Sequence, residues 1–332
     1  MNRKPIQRNP VEPGEDGLTV PEINSGLSEL FKTTEYCDAM GATYSVVLYG
    51  HDRAEMEAAI NATFAELSRL DALLSNYRAE SEWSEVNRRA AQEPVSVSPE
   101  LFQLLTACVA YSRESEGAFD IAVGPLMKLW GFYKGSGRLP SQEEVASVLP
   151  KVGYRHVHLN ADIQTVRFDC AGVELDPGGI GKGYAVDCMV NVLRQLGYQS
   201  ALVAGSDSTI YGMGAPPMEP KGWRVSIKDP RNARETVAEV FLKDMSMSTS
   251  GSYEKFFRAE GRTYAHIMDP RTGYPAQASG SVSVIAPRTI DSEAWAKPYF
   301  INGWQWTARY KPEDFRVCFC EDRMEEPCVW LN

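Results

Sequence analysis

The spacing of apolar positions changes character along the chain. In the first two hundred residues it is mostly helical, and afterwards it breaks into short runs between turn residues. Tyr44 to Tyr49 (YSVVLY) predicts a strand from its β-branched and aromatic content. Asp52 then predicts the cap of a helix with apolar positions at Met56, Ile60, Phe64, Leu67, Leu70 and Leu74. Ser98-Pro99-Glu100 opens a second helix, placing a cap, a proline at the first turn and an acid near the positive end. Its buried face reads Leu101, Leu104, Leu105, Cys108 and Val109. Ser141 to Glu144 is a capping box for a short third helix. Residues 156–175 alternate as a hairpin, and Tyr184 to Leu196 is helical up to Gly197. Short strands follow at 200–204, 209–213, 223–227, 236–242, 263–268 and 281–286, then a last helix from Ser292 to Asn302. Helices gather in the N-terminal half and around a glycine-rich loop, and strands come late. This order predicts an α+β fold with a mainly antiparallel sheet. Residues 1–30, rich in Pro, Gly, Asn and acids, read as a flexible N-terminal arm, and 31–332 as one continuous domain.

Charge removes several partners. The net charge of −10 comes without a basic run or stripe, which argues against nucleic acid and anionic membranes. No apolar run approaches the ~20 residues of a membrane span. Residues 1–30 lack the hydrophobic core of a signal peptide. The compartment stays open: periplasm or membrane surface if a leader has been removed, cytoplasm otherwise. The seven cysteines are scattered, unlike a disulfide framework. Cys108 and Cys188 fall on apolar helix faces and read as buried thiols. Cys318, Cys320 and Cys328 form the one local cluster. The leading reading is alternate residues of a C-terminal strand, and a bridge from Cys318 or Cys320 to Cys328 is the lesser one. A zinc site there lacks a fourth ligand.

Chemistry concentrates in a few segments. His266 leads into Ile267-Met268-Asp269-Pro270-Arg271-Thr272-Gly273 and follows Ser248-Thr249-Ser250-Gly251, in a chain with four His. A neutral imidazole accepts a proton near pH 7, and an Asp-Pro-x-Thr-Gly turn would fix where it points. Asp176-Pro177-Gly178-Gly179-Ile180-Gly181-Lys182-Gly183-Tyr184 runs from strand to glycines to helix. Such a turn lets backbone N–H groups and a helix N-terminus meet a phosphate. It is not a Walker A loop, because Gly183 stands where Ser or Thr belongs, and its glycine spacing is not the dinucleotide fingerprint. Taken alone, a plain glycine turn explains it about as well. Ala118-Phe119-Asp120 with Gly124-Pro125, then Trp130-Gly131-Phe132, reads as a core loop or a binding wall. Tyr77 and Met40 are core residues or covers for a flat ring.

Together these segments resemble the ApbE family of FAD:protein FMN transferases, from about Cys37 to about Gly303. The order matches: Met40-Gly41, the Ser75-x-Tyr77-x-x-x-Ser81-Glu82 segment, Ala118-Phe119-Asp120, the glycine run to Asp187, Thr249-Ser250-Gly251, and His266 to Gly273. The resemblance implies binding of FAD and transfer of FMN, as a phosphoester, to a Ser or Thr of a partner protein with release of AMP. The expected partner is an FMN-acceptor protein or a subunit of a redox complex. Carried over by position, Met40, Tyr77, Ala118, Phe119, Asp120, Asp176, Lys182, Ile267 and Met268 would contact FAD, and His266 would be the catalytic base. A non-catalytic FAD binder, or an FAD pyrophosphatase using water as acceptor, are the alternatives on the same fold.

The metal segment departs from the family pattern. The resemblance implies Mg²⁺, with the Gly179 carbonyl as one ligand and an Asp and a Thr on the last helix as others. Glu293 stands at the Asp position and Lys297 at the Thr position. A protonated lysine is never a metal ligand. Lys297 would repel Mg²⁺, or take its place and pair with Glu293 or a phosphate. The family's Gly-Gly-Asp turn is altered as well, to Gly205-Ser206-Asp207.

Overall fold

The computed structural model describes residues 29–135, 137–252, 256–278, 280–321 and 328–332. All but the last two residues of the expected N-terminal arm lie outside the described residues. In chain order the elements are β1 (Phe31–Ala39), β2 (Ala42–Gly50), α1 (Arg53–Leu74), α2 (Glu82–Arg89), β3 (Val95–Ser96), α3 (Pro99–Glu114), α4 (Gly124–Leu129) and α5 (Gln142–Val148). There follow β4 (Val157–Asn160), β5 (Thr165–Phe168), α6 (Gly181–Gln195), β6 (Ala201–Gly205), β7 (Thr209–Met213), β8 (Trp223–Asp229) and β9 (Asn232–Leu242). The chain ends with β10 (Met245–Gly251), β11 (Phe256–Ala259), β12 (Arg262–Ala265), β13 (Met268–Asp269), β14 (Tyr274–Pro275), β15 (Ser281–Ala286), α7 (Thr289–Tyr310), β16 (Arg316–Cys320) and β17 (Val329–Leu331).

An eight-stranded sheet, in the order β1-β2-β6-β7-β10-β15-β16-β17, is antiparallel at every pairing. The fold is α+β with a mainly antiparallel sheet, as the patterning predicts. Tyr44, Val46 and Leu48 alternate inward from β2 against Leu67 and Leu70 of α1 and Val186 and Met189 of α6. A second core packs α3 and α7, through Leu101, Leu105, Trp295 and Tyr299, on Val282 and Val284 of β15. The β8–β9 ribbon covers the other face, where Val225, Ile227 and Leu242 meet Met247 and Ile285. Helices on one side and a ribbon on the other bury every residue of β15, so its run SVSVIA has no solvent face.

Local signals place the helix starts. The Asp52 side chain accepts from the backbone N–H groups of Ala54 and Glu55, Ser98 accepts from Leu101, and both halves of the Ser141–Glu144 capping box are made. The structure differs elsewhere. α6 begins at Gly181 rather than Tyr184. α7 begins at Thr289 rather than Ser292 and passes Pro298; its helical geometry breaks at Gly303 (φ 76°, ψ 178°), straight after the expected end at Asn302, and a second helical stretch continues to Tyr310. The strand expected over 263–268 splits into β12 and β13, leaving His266 and Ile267 in the break. β1, α2, β3, α4, β10, β11 and β14 have no counterpart in the patterning. β10 (MSMSTSG) is inner and mostly buried, yet its serines read as loop because Ser246 and Ser248 pair with Ser292 of α7 and with backbone instead of water.

The cysteine cluster is bridged, which corrects the leading strand-only reading. Cys320 and Cys328 form a disulfide, with Cα atoms 4.3 Å apart. Strand pairing is the cause: β17 folds back on β16 and returns Cys328 to the strand that carries Cys320. The bridge consumes two of the three sulfurs a zinc ion would need. Cys318 remains a buried thiol, its pKa pushed up to about 12 by burial. Cys108 is buried as expected, whereas Cys188 is half-buried.

Candidate functional site

A cavity of about 690 Å³ opens where the β1–β2 turn, the loop after α1, residues 118–133, the glycine turn before α6 and the His266 segment converge. Its size suits a dinucleotide-class ligand. Met40, Tyr77, Ala118, Phe119, Asp120, Asp176, Gly179, Lys182, His266, Ile267, Met268 and Lys297 all line it. Glu293 alone of the expected residues does not. It lies beneath the floor, 2 % exposed.

The apolar walls are held by turns. Met40 and Gly41 are the two central residues of a tight hairpin, both with positive φ (51° and 72°), between the paired Ala39 and Ala42. A methionine in the left-handed region is strained, and surrounding bonds hold it there. Its N–H donates to Asp71 Oδ1 (3.0 Å), and its sulfur accepts from Tyr44 Oη (3.6 Å). Tyr77 overhangs the mouth, 77 % exposed, so a ring face is open for stacking. Phe119 and Asp120 follow the sharp turn after α3, where Ser115 Oγ accepts from Phe119 N (3.0 Å). Asp120 accepts from Ala122 N at Oδ1 and from Tyr154 N at Oδ2, both at 2.8 Å. Burial nevertheless dominates and raises its pKa to about 6.

The glycine turn carries the charge. Asp176 caps it, accepting from Gly178 N at 2.7 Å and from Tyr133 Oη at 3.0 Å. Burial raises the Asp176 pKa, while those hydrogen bonds and Lys297 oppose the shift. The N-terminus of α6 is aimed into the cavity with Lys182 in its first turn. Gly183 is required by close approach: a Cβ there would lie 2.5 Å from the Thr289 carbonyl oxygen of α7. That proximity lets Gly183 N donate to Glu293 Oε2 (2.6 Å). Glu293 Oε1 accepts no hydrogen bond from the described residues and lies 3.7 Å from Lys182 Nζ and 3.8 Å from Lys297 Nζ. Lys297 Nζ donates to the Gly179 carbonyl (2.9 Å) and to its own helix at the Glu293 carbonyl (2.8 Å).

His266 stands at the β12–β13 break and lines the cavity, and the turn that follows it is held by its own bonds. The Asp269 carbonyl accepts from Gly273 N (3.0 Å), and the Asp269 carboxylate grips Arg271 through Nε (2.8 Å) and Nη2 (2.9 Å). Trp130 Nε1 donates to the Gly273 carbonyl at 3.0 Å and locks the turn to the core. Five residues were not assigned as site residues from the sequence, although Asp187, Asp207 and Thr249 stand in segments it singled out. Asp187 accepts from Thr289 N and Ile290 N and so starts α7 in register with α6. Tyr133, the Asp207–Lys228 pair and Thr249 line the cavity. Tyr133 directly follows the aromatic segment already singled out, which was its only signal.

The implied Mg²⁺ does not fit these residues. A cation held by the Gly179 carbonyl would need the place of the Lys297 ammonium. Glu293 already uses Oε2 on Gly183, and two ammonium groups flank Oε1. The site thus combines an apolar slot with an exposed aromatic, a cationic turn at a helix N-terminus, and an imidazole at its wall. Such a set can hold a flat ring joined to a pyrophosphate and take a proton beside it.

A model of the ApbE family matches residues 40–319. The FAD:protein FMN transferase of Treponema pallidum is 34% identical over 266 residues, which cover 76% of this chain and 73% of that protein. The crystal structure of the ApbE protein of Thermotoga maritima matches with a TM-score of 0.81 at 28% identity, over 88% of this chain and 95% of the other. The apo form of the Pseudomonas stutzeri flavinyl transferase ApbE matches with a TM-score of 0.78 at 28% identity, over 91% and 94%. Ordered motifs, fold and matched length agree: the chain belongs to the ApbE family.

Proposed function

We propose that the chain transfers FMN from FAD to a Ser or Thr hydroxyl of an acceptor protein, releasing AMP, and that the acceptor is a subunit of a redox complex. The observation that carries this reading is the meeting of His266, the cationic glycine turn and the open Tyr77 ring in one cavity. Tyr77, Met40 and Phe119 take the isoalloxazine, and the α6 N-terminus with Lys182 and Lys297 takes the pyrophosphate. His266 accepts the proton of the acceptor hydroxyl as its oxygen bonds to the FMN phosphorus. The pyrophosphate P–O bond breaks, and AMP leaves with that bridging oxygen and its electron pair. Mg²⁺ is no part of this reading, because Lys297 stands where its ligands would converge.

The test is mass spectrometry of an FMN-acceptor domain, one that a flavinyl transferase of the family modifies, after incubation with protein and FAD. The expected product is heavier by one FMN. Replacing the base (His266→Ala) should slow transfer by about 10²–10⁴-fold while FAD stays bound. An unmodified acceptor with intact bound FAD would overturn the transferase reading. AMP and FMN formed without any acceptor would replace it by hydrolysis.

A further inference from the structure

We infer that Lys297 is a built-in cation that does the work of the divalent metal, so that this chain engages the pyrophosphate of FAD without any metal ion. The inference rests on the FAD reading above and deepens it. Three observations carry it. First, the ammonium is seated rather than dangling: Nζ donates to the carbonyls of Gly179 and Glu293 at 2.9 and 2.8 Å, and its side chain is 22 % exposed. Those are oxygens a hard cation would seek, reached by a charge covalently attached to α7. Second, Glu293 is the counter-charge of a lysine pair. Its buried Oε1 has no hydrogen-bond donor among the described residues and lies at nearly equal distances of 3.7 and 3.8 Å from Lys182 and Lys297. Third, the same carboxylate is tied by Oε2 to Gly183 N (2.6 Å), so it cannot turn as a bidentate ligand without losing that bond.

Two ammonium groups thus share the one carboxylate of Glu293, and the α6 N-terminus adds positive potential toward the cavity. A divalent ion added here would face two ammonium groups within a few ångströms. A tethered lysine also differs chemically from Mg²⁺. It donates hydrogen bonds to phosphate oxygens and brings no coordinated water.

The experiment measures FAD affinity by flavin fluorescence in excess EDTA and in millimolar Mg²⁺, for the wild type and for Lys297→Thr. The wild type should bind FAD equally, within about twofold, in both buffers. Lys297→Thr should bind at least tenfold more weakly in EDTA and recover part of the loss in Mg²⁺. A wild type that loses tenfold or more in EDTA overturns the inference, and this arm needs no variant to fold. Mn²⁺ paramagnetic resonance on the protein without FAD gives a separate readout. No Mn²⁺ uptake by the wild type sustains the inference, and one Mn²⁺ per wild-type chain, lost in Glu293→Gln, overturns it. Should FAD bind in neither buffer, the transferase reading fails, and the Mn²⁺ result still decides the lysine's role.

Discussion

Asp120 sets burial against hydrogen bonding within one carboxyl group. Two backbone N–H groups favour its charged form, and burial raises its pKa from 3.8 to about 6 all the same. A carboxyl that holds its proton more tightly when folded adds stability below pH 3.8, and this contribution is lost as pH rises through about 6. Urea midpoints between pH 4 and 7 should therefore fall less steeply in Asp120→Ala than in the wild type, and parallel curves would rule the assignment out. Residue identities in the site were largely legible. His266, Asp176, Lys182 and Tyr77 stand in motifs whose chemistry can be read locally. Asp187 was not legible as a site residue, because its task is to receive N–H groups from a helix a hundred residues away, at 2.8 and 2.9 Å. Nothing in its own neighbourhood announces that.

At the scale of elements, α6 and α7 hold the charged floor, and their contact depends on a missing side chain. In Gly183→Ala the new methyl would meet the Thr289 carbonyl oxygen at 2.5 Å, forcing the helices apart and lengthening the bond from Gly183 N to Glu293. Overpacking of this kind costs about 1–3 kcal/mol. The variant should melt several degrees lower and bind FAD more weakly, by calorimetry and fluorescence, and an unchanged melt would show that the helices have slack. Helix starts were legible at Asp52, Ser98 and Ser141, where a side-chain cap precedes the helix, whereas the equally capped start of α2 at Ser81 was passed over. α7 was misplaced by three residues at its start because its N–H groups are received by Asp187 of another helix, and Arg288, its own cap residue, makes no side-chain cap bond. β10 was missed because its serines are satisfied by Ser292 of α7 and by backbone: Ser248 Oγ lies 2.8 Å from Ser292 Oγ, and Ser246 Oγ donates to the Ala286 carbonyl at 2.8 Å.

For the whole molecule, the disulfide and the cavity occupy different regions. Cys320–Cys328 pins the sheet edge at β16–β17, whereas the cavity is walled by turns from residue 40 to residue 297. Closing so short a loop is worth on the order of 2–3 kcal/mol. Reduction with dithiothreitol should lower the melting temperature by several degrees and leave FAD affinity unchanged. A parallel loss of affinity would tie the tail to the site. Fold class was legible because the shift from helical spacing to short runs survives any error in single boundaries. Strand order was not legible, since it is decided by pairings between distant segments. One of those pairings governs how the protein comes into being. β2 pairs with β6, Tyr44 opposite Gly205, so some 160 residues must be made and gathered before this inner seam can close. Loops of that length slow the folding search. No fragment short of Lys297 holds the whole cavity, so its maturation belongs to the end of folding. A ligand that binds only the finished cavity would then act as a proofreader of the fold, drawing complete chains out of a pool of unfinished ones by mass action.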